Sequence, residues 1–269
     1  MKKLWLLCLL AALPLSVWAQ NAYSIPVNDL ETDFGGHFSL TLDKKLARGL
    51  HLTADGEVRL KNDFSTLGRW HAGAALTYKV NPYLKVGAGY QFIERLNSES
   101  EWTPRHRLYF DVRGMLRTQS WRFSLKERFQ YTHRDPDGMN VFQNNPNALA
   151  LKSRLKAEYT GFGAVNPYAY VEGRLVFNDP SCSAGWNPIS HTFSDYSFIG
   201  YTDTYFNRLR GAVGAVWKLS PNHALDFALL GDYNYDKNVD TNAEGTKLKS
   251  IEYDRMFRMN VRVGYTFSF

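Results

Sequence analysis

The chain has 269 residues, 32 Lys+Arg against 26 Asp+Glu for a formal charge of +6, and an aromatic content of 15%. That length suits a single all-β domain, and the mild basic excess gives no ground for nucleic-acid binding. With a mean hydropathy of −0.38, no stretch beyond residue 20 approaches the ~18 consecutive apolar residues of a membrane-spanning helix.

The N-terminus reads as an export leader. Lys2 and Lys3 form a basic start, Leu4 to Leu13 an apolar core, and Pro14 ends it. Val17-Trp18-Ala19 offers small residues at the cleavage positions, so residues 1–19 are expected to be a signal peptide and Gln20 the first mature residue. Of the two cysteines, Cys8 lies in the leader, which leaves Cys182 without a disulfide partner or a metal-binding spacing.

From residue 34 onward the dominant signal is period two. In the run 50–61, Leu50, Leu52, Ala54, Gly56, Val58 and Leu60 share one face, and His51, Thr53, Asp55, Glu57, Arg59 and Lys61 the other. A helix would scatter these two sets, whereas a strand separates them. Similar runs follow at 69–80, 84–92, 107–117, 121–132, 148–159, 167–177, 205–219, 223–235 and 255–269, with a weaker first run from Phe38 to Leu42. These make about eleven strands, mostly longer than the ~5–6 residues of soluble strands and matched to the ~9–11 of a tilted transmembrane strand. Trp70, Tyr78, Trp121, Tyr159, Trp217 and Tyr265 sit near run ends on the apolar rows, as interfacial girdles require.

Connections alternate between short (80–83, 117–121, 160–167, 219–222) and longer ones, medium at 95–104 and long at 133–148, 178–203 and 236–254. Short turns on one side and long loops on the other fit a transmembrane antiparallel up-and-down β-barrel over residues 20–269. Termini on the same side require an even count, so a short twelfth strand is expected in residues 21–31, around Tyr23, Ile25 and Val27; ten strands is the alternative. In the last run Phe257, Met259, Val261, Val263, Tyr265, Phe267 and Phe269 are apolar at every second place. Tyr265, Phe267 and the terminal Phe269 resemble the signal that outer-membrane assembly machinery reads. Expected partners are that machinery and outer-membrane lipid, with no nucleic acid, for a monomer in the cell outer membrane.

Several segments carry a family resemblance: Asp33-Phe34-Gly35, Leu42-Asp43-Lys44-Lys45-Leu46, the run Tyr78 to Tyr90, and Pro104-Arg105-His106-Arg107-Leu108-Tyr109. They resemble an uncharacterised, Bacteroidota-type outer-membrane β-barrel family, a domain of unknown function. The similarity is best between residues 33 and 131, and the loop 178–203 departs from it. The resemblance implies a barrel in the outer membrane and no established activity.

If apolar rows face lipid, polar rows face the lumen. Arg105, Arg107, Arg113, Arg128 and Arg154, with Glu57 and Glu172 among the counter-charges, are the lumen-lining candidates. Two readings stay open, a structural lumen plugged by paired side chains and a porin-like channel weakly selective for anions. Glu127, on the apolar row, is expected at a bulge or near an interface, and Asp232, Asp236 and Asp240 in a solvated loop. His37, His51, His71 and His106 have no Ser or Asp at supporting spacing, and nucleophile-elbow, zinc-protease and phosphate-loop motifs are absent. No catalytic residue, metal ligand or cofactor is therefore assigned. An enzyme or an adhesion barrel acting through its long loops is the alternative.

Overall fold

A computed structural model describes residues 25–97, 100–137, 139–187 and 189–269. The expected leader, its cleavage site at Ala19, and Tyr23 lie outside the described residues.

Among the described residues, eleven strands form a closed barrel: β1 Val27–Ala47, β2 Leu50–Lys61, β3 Thr66–Asn81, β4 Leu84–Leu96, β5 Trp102–Arg117, β6 Trp121–Arg134, β7 Asn147–Tyr159, β8 Val165–Asn187, β9 Thr192–Lys218, β10 His223–Thr241 and β11 Leu248–Ser268. No helix occurs among the described residues. Each strand pairs antiparallel with the next, and β1 closes the ring against β11 in parallel. An odd count makes one such seam unavoidable. Of the segment 21–31 expected to supply a twelfth strand, the described part from Val27 on belongs to β1, which starts just after Pro26, where a missing N–H is tolerated.

The connections divide the barrel into two ends. Chain reversals at 48–49, 82–83, 118–120, 160–164 and 219–222 lie at the turn end, together with Phe269. The reversals after β2, β4, β6, β8 and β10 lie at the loop end, where β1 also starts. The two termini of the barrel therefore lie at opposite ends, not on one side as the parity argument expects.

Period-two patterning becomes a two-faced wall. On β6, Trp121, Phe123, Leu125, Phe129 and Tyr131 point outward while Arg122, Ser124, Lys126, Arg128 and Gln130 point in, and the ladders to β5 and β7 run without a register break. Large apolar side chains on the outside stay open: Leu76 is 49% exposed, Leu155 51%, Phe129 57% and Val213 59%. The apolar interior is small, a cluster of Tyr168, Tyr170, Ala212, Ala228 and Leu230 on the inner wall of β8–β10.

The seam is specified locally. Asp33 pairs with Arg258, Asn28 donates to Asp254 at 2.7 Å, and Arg255 donates to the Asn28 carbonyl. At Gly35 a Cβ would lie 2.2 Å from the Leu60 carbonyl oxygen, so only glycine lets β1 and β2 approach there.

Two expected loops turn out to be strand. β8 and β9 run on as a hairpin through most of 178–203, and β10 reaches Thr241, which leaves only 242–247 as its loop. In the β8–β9 extension the apolar residues Trp186, Phe193, Phe198 and Ile199 fall at irregular spacing and the pairing shifts register several times, so the alternation that marks a strand in sequence disappears.

Candidate functional site

The inward rows enclose a cavity of about 600 Å³. It reaches the turn end at Asp43, Gly49 and Lys79, and extends up to Arg59, Arg69, Arg174 and Arg208. Thirteen Lys or Arg side chains and five Asp or Glu line it. The Tyr168/Tyr170/Leu230 cluster fills the opposite inner wall, so the cavity lies mainly against β2–β7.

Register decides how those charges meet. One row, followed across hydrogen-bonded partners from β3, reads Lys79, Lys85, Arg113, Lys126 and Arg154. It continues through Glu172, Arg210, Asp232, Arg258 and Asp33, alternating in sign. The alternating half is self-compensated: Arg210 holds Asp232 through two bonds of 2.5 and 2.8 Å, and Arg258 holds Asp33. The first half has five cations on adjacent strands. The next row carries four, Arg128, Lys152, Arg174 and Arg208.

Three acids serve these rows, the third, Asp236, only at 3.7 Å from Arg174. Asp111 receives Arg128 at 2.7 and 2.8 Å and Lys126 at 2.9 Å. Glu172 receives Arg154 on one oxygen and Arg208 on the other, at 2.8 Å. Tyr109 lies under the Arg128 guanidinium at 3.8 Å and Tyr170 under Arg154 at 4.4 Å, cation–π contacts that fix both side chains. Among the described residues, Lys79, Lys85, Arg113 and Lys152 have no acidic partner within 4.0 Å.

Nearer the loop end the crowding continues. Arg59, Arg69 and Arg95 face one another on β2, β3 and β4, and Arg105 faces Arg134. Arg95 on β4 and Arg134 on β6 share the electrostatic neighbourhood of Asp236 on β10 and Arg174 on β8, so charged side chains from several strands crowd the bore toward the loop end.

At the loop end itself, Lys237 donates to Asp203 and to the Pro180 carbonyl at 2.7 Å, with Asp179 3.9 Å away. Burial, reinforced by Asp203 and Asp236, pushes the Asp179 carboxyl up to about 6. Burial also pushes the nearby Cys182 thiol up. The β6–β7 loop is tied down here: Asn140 donates to Thr241 at 3.1 Å, Gln143 to Asp240 at 2.9 Å, and Tyr201 to the Val141 carbonyl at 2.9 Å.

Of the lumen-lining candidates, Glu57, Arg107, Arg113, Arg128, Arg154 and Glu172 line the cavity, whereas Arg105 sits above it. Arg69, Lys79, Lys85 and Arg174 also line it; their place depends on register, which composition does not carry. Tyr265 and Phe267 are on the outward row, and Phe269 stacks on Phe267 at 5.3 Å with its backbone bonded to β1.

Other expectations need correction. Glu127 is at neither a bulge nor an end: it stands mid-strand in an unbroken ladder, buried, accepting from the Ser153 hydroxyl at 2.5 Å. Asp232, Asp236 and Asp240 lie on β10 and not in a loop, engaged respectively by Arg210, Asn207 and Gln143. His37 and His71 point inward, His71 bonded to Asp55 at 3.0 Å, while His106 points outward against Tyr90 at 2.6 Å.

These observations define a closed β-barrel of eleven strands with a cavity walled by charged side chains. The chain belongs to a protein family of unknown function, DUF2490, whose family model matches residues 34–243, from within β1 to the end of β10. No curated protein matches the chain.

Proposed function

We propose that this protein is a small outer-membrane barrel whose basic interior admits anions. The cavity wall carries the reading: thirteen cationic against five acidic side chains, on a face that reaches the turn end. Unpaired Arg and Lys lower the barrier for negative solutes entering a narrow pore.

The membrane assignment rests on the outer wall. Exposed apolar side chains ring the barrel over far more area than the few hundred Å² a soluble monomer leaves open. On β6 the outward row begins at Trp121 and ends at Tyr131, ten steps and about 34 Å along the strand, or roughly 26 Å along the axis at a ~40° tilt. That matches the ~25 Å apolar band of barrels flanked by aromatic girdles. The turn end then faces the periplasm and the loop end the outside, with Tyr265, Phe267 and Phe269 as the assembly signal on the closing strand. The odd strand count departs from the even numbers usual for such barrels in bacteria.

A structural role is the second reading, favoured by the charges that converge above the cavity and by the loop contacts over it. Planar-bilayer reversal potentials under a salt gradient separate the two. Anion preference supports the pore, absence of conductance supports the structural role, and cation preference refutes the proposed function.

A further inference from the structure

We infer that the cationic arc on β3–β7 is a binding site for a multivalent oxyanion, a molecule bearing several phosphate or carboxylate groups. This deepens the reading of the interior as anion-admitting and names what would rest there. The carrying observation is that a single register row behaves in two ways. From Glu172 round to Asp33 it alternates in sign and closes into ion pairs. From Lys79 to Arg154 it presents five cations on neighbouring strands.

Like charges directly opposite one another destabilise a sheet. A wall serving only to fill and stiffen the bore would alternate all the way round, as the other half of this row does. The unalternated half is also the half that faces open space, since all five of its cations line the cavity. The repulsion is therefore concentrated where a ligand can relieve it.

The dimensions select the ligand. Neighbouring strands are about 4.8 Å apart, so five in succession spread their charges over roughly 19 Å of wall. A lone halide would answer one of the three with no acidic partner among the described residues, Lys79, Lys85 and Arg113, whereas a chain of linked oxyanions answers several at once. Arg113 and the lysines on either side have hydrogen-bond donors to spare, and guanidinium groups bind phosphate or carboxylate through paired N–H bonds. Arg154 is already held against Tyr170, so less side-chain freedom is lost when an anion binds. A cavity of about 600 Å³ is large enough for such a molecule.

The test uses the full barrel folded in detergent. Tripolyphosphate and citrate are titrated calorimetrically against orthophosphate and chloride at matched ionic strength, and the heat-unfolding midpoint is followed in parallel. Tripolyphosphate or citrate should bind at one site at least tenfold more tightly than orthophosphate and raise the midpoint; whichever binds tighter shows whether phosphate or carboxylate is read. Lys85→Gln with Arg113→Gln should weaken that binding at least tenfold, while Lys249→Gln at the exposed loop end should leave it unchanged. Lys85→Gln alone serves if the double variant does not fold, because Lys85 has no ion pair to lose. Equal affinity for all four anions, or equal loss in the Lys249 variant, overturns the proposal. Binding in micelles needs no conductance, so an anion-selective barrel that ignores both probes sinks only this site. A silent barrel that binds them sinks only the pore.

Discussion

Glu172→Gln removes the acid that joins the alternating half of the barrel row to the cationic half. Its side chain is 5% exposed, with Arg154 on one oxygen and Arg208 on the other. The substitution keeps the shape and deletes the charge, leaving two guanidiniums and the neighbouring Lys152 without compensation. Breaking a buried ion pair from one side typically costs about 3–5 kcal/mol. For a chain of this size each kcal/mol moves an unfolding midpoint by about 2–4 °C, so a fall of roughly 6–20 °C is expected. The assay is the temperature at which the barrel loses its compact, heat-modifiable gel mobility, with circular dichroism as a second probe. Arg258→Gln, in the compensated half, should also destabilise, by stranding Asp33. Added multivalent anion, however, should rescue only the Glu172 variant, where cations are the surplus. A Glu172→Gln midpoint within 2 °C of the parent would refute the claim that this carboxylate holds the cationic wall together.

Two further outcomes concern the loop end, beyond the apolar belt. The raised Asp179 carboxyl means the folded state holds that proton more tightly than the unfolded state, whose pKa is near 3.8. Its contribution is complete below about pH 4 and is lost as pH rises through about 6. Hydrogen exchange in the β8–β9 extension, corrected for intrinsic rates, should therefore be slower at pH 5 than at pH 7, and Asp179→Asn should abolish the difference; an unchanged pH dependence in that variant would remove Asp179 from the account. The Cys182 thiol, pushed up by burial, should react slowly with a membrane-impermeant maleimide at pH 7 and faster above pH 9. Labelling on intact cells would support an outward-facing loop end, and labelling only after permeabilisation would reverse the orientation.

The fold was largely legible because alternation over long runs has one physical meaning. From Trp121 to Tyr131 every odd position but Glu127 is apolar, and the structure turns that row outward. What stayed hidden falls into two kinds. Outside the belt, β8 beyond Val176 and β9 before Tyr205 carry their apolar residues at irregular spacing, so their strands look like loop. The second kind is register. Lys79, Lys85 and Arg113 are unremarkable apart in sequence and become a site only when three strands align them, and a shift of one residue would have turned all of them to the other face. An even strand count follows from parity only if the barrel closes antiparallel, whereas Asp33–Arg258 and Asn28–Asp254 fasten a parallel seam.

The proposed membrane barrel puts the outward row against hydrocarbon and the inward row against water. Nitroxide labels at Leu155→Cys and Arg154→Cys, in a Cys182→Ser background reconstituted into lipid, test it on adjacent residues. The label at 155 should collide mainly with dissolved oxygen and the one at 154 with a water-soluble nickel chelate. Equal access of the chelate to both positions, in protein that stays soluble without detergent, would contradict the account.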